Sequence, residues 1–182
     1  MPLLNTIATP YADALLQVAE SRNETDLVAQ QAKELLEAWN ATPELRQAMG
    51  SPLIEPEAKK KVITRLFAEQ VTPALANLLR LLADRQRISA FDAVLLRYLE
   101  LYRELRHIAL AKVTSAVPLS DDQKALLGEK VKAMAGTGTV EFEMEVDPAL
   151  IGGLIVRVGS QVVDASLAGQ VRRLGLSLAR VG

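Results

Sequence analysis

The chain has 182 residues, no cysteine and a single histidine, which excludes disulfides, thiolate metal sites and multi-histidine metal sites. Its 21 basic residues stand against 22 acidic ones, balanced on either side of Arg106, so neither half has the excess charge of a nucleic-acid or anionic-membrane binder. Hydrophobic content of 49% with 4% aromatic predicts packed cores of Leu, Val and Ala, and no apolar run approaches the ~20 residues that span a bilayer.

The N-terminus, MPLLNTIATPYADALLQVAES, lacks the basic flank and cleavage site of a signal peptide and the Arg- and Ser-rich character of a transit peptide. The expectation is a chain that stays in its compartment of synthesis without membrane insertion. From the start to Arg106 the signals are helical. Six helices are expected, at about 4–21, 24–40, 43–49, 56–69, 72–85 and 89–106, joined by short connections as in a compact bundle. Thr9-Pro10, Thr42-Pro43 and Thr72-Pro73 each offer a capping hydroxyl before a proline that fits a first helical turn. Ser89 and Asp92 form a capping-box pattern ahead of the last of these helices, in which Val94, Tyr98, Leu101 and Leu105 make one stripe. Leu27, Leu35 and Trp39 mark the second helix. Lys59-Lys60-Lys61, behind Glu55 and Glu57, reads as a solvated basic face with first-turn acids.

The helix at 72–85 is apolar around much of its circumference. Leu75, Leu79 and Leu82 make one stripe; Ala74, Leu78 and Leu81 make a second beside it. Such a helix is either buried on nearly all sides or covered by something outside the chain, and spacing alone leaves both readings open. The first helix carries a related stripe, Tyr11, Ala14 and Val18, in which the small alanine allows close approach.

After Arg106 the period changes. His107 stands where the long helix ends, where a cation suits the helix dipole. Residues 107–117 read as a strand that Pro118 ends. Ser120 and Gln123 form another capping-box pattern for a helix to about Ala135. Gly136-Thr137-Gly138 leads into a strand in which Val140, Phe142, Met144 and Val146 alternate with Glu141, Glu143 and Glu145, one face buried and one in water. Asp147-Pro148 breaks it. Gly152-Gly153 allows backbone angles that other residues avoid, and Leu154, Val156 and Val158 alternate again. Gly159-Ser160 fits a type II′ hairpin turn into 161–164. Ser166 can cap a final helix bearing Leu167, Val171, Leu174 and Leu178. The predicted architecture is α+β: an N-terminal six-helix bundle over 1–106 and a small mixed α/β domain over 107–182, whose core is marginal and calls for a neighbour or partner.

No catalytic constellation emerges. Gly136-x-Gly138 lacks the third glycine and following helix of a dinucleotide loop, and no glycine-rich loop ends in Gly-Lys-Ser/Thr. Asp121-Asp122 is explained as first-turn acids of a helix. The glutamate row is either a solvated strand face or a surface for a basic partner. The serines have no nearby histidine. The chain does not read as an enzyme, and no cofactor, metal or catalytic residue is expected.

The stretch Val140, Phe142, Val146, Asp147, Leu150, Gly152, Gly153, Leu154, Val156, Arg157 and Gly159 resembles the signature of the ATP synthase delta subunit, the oligomycin-sensitivity-conferring protein of mitochondria. Ala8-Thr9-Pro10-Tyr11-Ala12-Asp13-Ala14-Leu15 is similar to the run with which many members begin. Asn77 to Leu82, followed by Arg87-Ile88, is similar to the family's fifth helix and the turn after it.

This resemblance implies a non-catalytic stator subunit in the peripheral stalk of a rotary, proton-translocating ATP synthase. The first and fifth helices would form a groove for an amphipathic helix from the alpha-subunit N-terminus, with Tyr11, Ala14, Leu78 and Leu81 at the matching positions. The C-terminal portion would meet the b-type stalk subunits, so that the head does not turn with the rotor. VGSQVVDASLAGQVRRLG looks most like cyanobacterial and plastid members, which implies a peripheral place on the cytoplasmic or stromal face of a thylakoid membrane. Two rivals remain: a generic helical adaptor for an unrelated amphipathic helix, and a small-molecule enzyme with its pocket between the halves.

Overall fold

The computed structural model describes residues 2–51, 53–67 and 71–179. Side chains are described for the residues whose burial is assigned, which omits 2–5, several residues of 56–67, and 174–179. The protein is mixed α and β, with eight α-helices and a four-stranded sheet among the described residues. It divides into two compact units, Met1–Glu104 and Leu105–Gly182.

The first unit holds α1 (Pro2–Ser21), α2 (Thr25–Ala41), α3 (Pro43–Gly50), α4 (Pro56–Phe67), α5 (Pro73–Asp84) and α6 (Phe91–Arg106), with a 3-10 turn at Ile88–Ala90 before α6. Among the described side chains, α1, α2, α3, α5 and α6 contribute to one core, which includes Leu75, Leu79 and Leu82 of α5, Val28 and Ala32 of α2, and Val94, Leu95 and Tyr98 of α6. Trp39 and Phe91 meet edge to face at 5.0 Å between ring centroids. The Tyr98 hydroxyl, fully buried, donates to the Thr25 carbonyl at 3.1 Å, so burying it leaves no orphaned polar group.

Several local expectations are corrected here. Pro10 lies inside α1, two turns beyond its start, so Thr9-Pro10 does not open that helix. Pro43 and Pro73 do stand in the first turns of α3 and α5, but the Thr42 and Thr72 hydroxyls make no capping hydrogen bond. The Thr72 backbone N–H is instead taken by the Gln31 side-chain oxygen at 2.8 Å. The Ser89/Asp92 capping box is replaced by the 3-10 turn, and Asp92 accepts from the N–H of Ala93. Leu27 is half exposed; the buried face of α2 runs one residue later, through Val28, Ala32, Leu35 and Trp39. The stripe on α6 is buried at Val94 and Tyr98 and emerges by Leu105. The expected end of the fourth helix, at residue 69, lies outside the described residues.

The second unit begins at the end of α6, where His107 takes a left-handed φ of 53° and stops the helix. There follow β1 (Ile108–Ser115), α7 (Asp121–Ala135), β2 (Thr139–Val146), β3 (Leu154–Val158), β4 (Gln161–Asp164) and α8 (Leu167–Ala179). The sheet order is β2-β1-β3-β4. β1 and β2 are parallel, with Val113 opposite Met144, and α7 supplies the crossover that a parallel pair requires. β3 runs antiparallel to both β1 and β4. The Ser120 capping box is complete: the Gln123 N–H donates to the serine oxygen and the Gln123 side chain accepts from the Ser120 N–H. Gly159 takes φ of 56° in the two-residue turn between β3 and β4.

Packing is thinner in this unit. Its buried cluster is Ala111, Val113, Leu127, Val131 and Val156, flanked by Val140, Phe142 and Leu154. Of Val140, Phe142, Met144 and Val146, expected to share one buried face, the first two are half-buried against the core and Met144 and Val146 are exposed. α7 crosses β2 near Phe142, whose ring lies close to Gly128, and leaves the far end of this edge strand bare. On the opposite face Glu143 pairs with Lys112, its direct neighbour across the ladder, at 2.9 Å.

Candidate partner-binding surface

The surface begins with two helices whose apolar residues exceed what one buried face needs. On α1 the core face is Ala8, Ala12, Leu15 and Ala19, all nearly inaccessible. Three small residues and one leucine at spacings of four, three and four let this helix approach its neighbours closely. Tyr11, Ala14 and Val18 flank that face. Tyr11 is half-buried against the core, whereas Ala14 and Val18 are exposed.

On α5 the first stripe, Leu75, Leu79 and Leu82, lies at 0 to 2% exposure. The second stripe is split. Ala74 and Leu78 are buried at 7%, while Leu81, one turn on, is 41% exposed. Of the two readings that spacing left open, burial applies to Leu78 and exposure to Leu81. The reason is packing geometry, since α5 packs against both α1 and α4 and neighbours on two sides cover more than one stripe.

α1 and α5 are in contact, and a hydrogen bond ties their surfaces together. Arg87, in the turn after α5, donates from Nη1 to the Tyr11 hydroxyl at 3.1 Å. Tyr11 is thereby fixed at the end of α5 that carries Leu81. Of the four expected residues, the structure makes Leu78 a core residue, Tyr11 a half-buried edge, and Ala14 and Leu81 exposed. Arg87 was not among the expected residues, because a bond across 76 positions leaves no local pattern in the sequence.

The signature segment of the second unit is structural. Gly153 has φ of 77°, and a Cβ there would strike the Ala165 carbonyl oxygen and the Ser166 backbone. Ser166 caps α8, accepting from the Gly169 N–H at 3.0 Å. Asp164 accepts from both the hydroxyl and the N–H of Ser166, at 2.6 and 2.9 Å. Those two bonds, with help from Arg173 and Arg172, hold the Asp164 carboxyl below its ordinary pKa.

Beside this scaffold a groove of about 340 Å3 lies between α7 and the β3–β4 hairpin, lined by Leu126, Leu127, Val131, Leu154 and Val163 with Lys130 at its edge. α8 turns Leu167 and Val171 outward; Leu174 and Leu178, the rest of its expected stripe, lie outside the described side chains. Among the described residues no cluster of three or more His, Asp or Glu is placed to hold a metal, and no helix is long and apolar enough to cross a membrane.

Comparison with known proteins places this geometry in a family. A family model described as ATP synthase delta (OSCP) subunit matches residues 7–178. The chain is 64% identical over 182 residues to the ATP synthase subunit delta of the organellar chromatophore of Paulinella chromatophora, covering all of both chains. It is 64% identical over 180 residues to ATP synthase subunit delta of Synechococcus sp. (strain CC9311), covering 99% of each. A chain in the cryo-EM structure of the Toxoplasma gondii mitochondrial ATP synthase hexamer has a similar fold, with a TM-score of 0.76 at 21% identity over 93% of this chain and 96% of that one. A match of this kind along nearly the whole length, in both units, means that the chain belongs to the ATP synthase delta (OSCP) subunit family.

Proposed function

We propose that this delta-family subunit, a non-catalytic part of the ATP synthase, is the joint between the catalytic head and the peripheral stalk. In this reading residues 1–106 act as a six-helix bundle seated on the head. The α1–α5 surface receives an amphipathic helix from the N-terminus of an alpha subunit. Residues 107–182 act as a second domain that meets the C-terminal end of the b-type stalk subunits. The joint keeps the head from turning with the rotor, so that torque reaches the catalytic sites. The subunit is peripheral, on the cytoplasmic or stromal face of a thylakoid membrane.

One observation carries the head contact. Leu81 is 41% exposed on α5, whose following turn holds Tyr11 of α1 through Arg87, and on the contacting α1 Ala14 and Val18 are exposed as well. This is the layout of helix-in-groove recognition, where apolar anchors supply affinity and a polar rim sets register. Leu78 then serves as the floor of the groove and Leu81 as its open wall. Covering the exposed part of Leu81 would contribute on the order of 1 kcal/mol, so several such contacts are needed for a durable joint. The stalk contact draws support from the apolar groove of the second unit and the outward Leu167 and Val171 of α8. Whole-length relatives named as ATP synthase subunit delta leave the generic-adaptor reading without support.

The test is a titration of the full chain with a synthetic peptide of the alpha-subunit N-terminus. Saturable binding is expected at micromolar concentration or below, and Leu81→Glu should abolish it while leaving the melting temperature nearly unchanged. A large loss of stability in Leu81→Glu would place that residue in the core and remove it from the contact.

A further inference from the structure

We propose that α8 is held to the second unit by a latch at its first turn, in which the Asp164 carboxylate fastens Ser166 and residue 169 is glycine to admit that carboxylate. Beyond the first turn the described side chains of α8 offer little hold. Gln170, Val171, Arg172 and Arg173 are all exposed, and four consecutive residues go once around a helix, so no side of this turn is covered. Ser166 and Gly169, just before it, are buried. Among the described residues, the element α8 meets most is the 3-10 turn at Pro148–Leu150. A helix of 13 residues is marginal in water by itself, so whatever fixes its first turn decides how much of it forms.

That turn is tied in several places. The Ser166 N–H and hydroxyl both donate to the Asp164 carboxylate, and the Ser166 oxygen accepts from the Gly169 N–H. The Leu167 N–H donates to the Gly152 carbonyl at 2.9 Å, and the Arg173 guanidinium to the Asp164 carbonyl at 3.3 Å. The glycines mark the same place. A Cβ at Gly152 would fall on the Leu167 side chain, one at Gly153 on the Ala165 carbonyl, and one at Gly169 on the Asp164 carboxylate. At the other five described glycines a Cβ would meet nothing closer than 3.9 Å. All three tight glycines therefore surround Asp164–Leu167. Alanine in place of a helical glycine is ordinarily favourable, but at 169 it would push out the carboxylate that fastens the turn. On the stalk-contact reading above, a helix ordered in advance spares its partner that entropy cost. The latch itself belongs to the free chain and does not depend on that reading.

The experiment is amide hydrogen exchange of the free full chain by NMR, comparing the α8 amides from Val171 to Ala179 with those of β1 and β3. Asp164→Ala should lower α8 protection about five-fold, and Asp164→Asn about two-fold, since the amide still offers an acceptor. Gly169→Ala alone should give no gain. In the Asp164→Ala chain, where the obstructing carboxylate is gone, Gly169→Ala should raise α8 protection about five-fold, as alanine does in an ordinary helix. In the Asp164→Asn chain it should again give no gain, because the amide has the carboxylate's shape. β1 and β3 should keep their protection in every variant. An equal gain from Gly169→Ala in the wild-type and Asp164→Ala chains overturns the latch, as does α8 protection indifferent to Asp164→Ala. Protection lost equally from β1, β3 and α8 assigns the carboxylate to folding of the whole unit and overturns it too. Absence of α8 protection in the wild-type chain also overturns it.

Discussion

The two units reach stability by different means. Among the described side chains, the first closes a core drawn from α1, α2, α3, α5, α6 and the turn before α6, with Tyr98, Phe91 and Leu75 fully buried inside. It still leaves Leu27, Leu53, Leu81 and Leu96 exposed, one or two to an element. The second buries a cluster of five residues and leaves Val117, Leu126, Met144, Val146, Ile151 and Val171 in water. A sheet covered by one helix cannot bury both of its faces, whereas helices packed against several neighbours can. The two units therefore differ in how much apolar surface their own packing covers.

This contrast can be broken by substitution. The largest effect is expected from Phe91→Ala, which opens a cavity beside Trp39 and should cost about 3–5 kcal/mol in urea unfolding. Trp39 is the single tryptophan, so its fluorescence follows the first unit alone. Gly153→Ala comes next. It forces a left-handed residue with a Cβ against the Ala165 carbonyl, and should cost at least about 2 kcal/mol. Circular dichroism should register that loss while the Trp39 midpoint stays put; a shared shift would show that the units unfold as one.

Ser166→Ala should cost the second unit about 1 kcal/mol by removing the cap of α8. The linked acid, Asp164, has a folded pKa below its unfolded value, so its contribution is complete above about pH 4 and fades as pH falls through the folded value. Asp164→Asn should flatten that part of the acid-unfolding profile. The smallest effect has the opposite sign. Ile151 is β-branched, 74% exposed and held at φ of 64°, so Ile151→Gly should raise stability by up to about 1 kcal/mol by relieving backbone strain. If Ile151→Gly instead destabilises, the side chain has a packing role within the second unit that its exposure conceals.

Local patterns in the sequence fared according to how local their physics is. The Ser120–Gln123 box, the Gly159-Ser160 turn and the Ser166 cap each close within four residues, and each forms as expected. Thr72 and Ser89 carried the same kind of signal and lost to competitors: a glutamine 41 positions away for the first, a 3-10 turn for the second. Met144 looked identical to Phe142 in the alternation, yet Phe142 lies beside Gly128 of α7 and Met144 is exposed. The candidate surface shows the same division: the stripes bearing Tyr11, Ala14, Leu78 and Leu81 could be read from spacing, whereas which of these residues are covered, and that Tyr11 is held by Arg87, could not.

By itself, then, the sequence determined the order and type of nearly every element, the absence of thiol and multi-histidine chemistry, and the family, because periodicity, caps and turns are written into adjacent residues. Tertiary structure alone decided which of two neighbouring apolar stripes is covered, making Leu78 core and Leu81 surface. It also brought Arg87 to Tyr11 across 76 positions. Burial depends on how many neighbours a helix has and on which sides they pack, and no spacing within that helix records it.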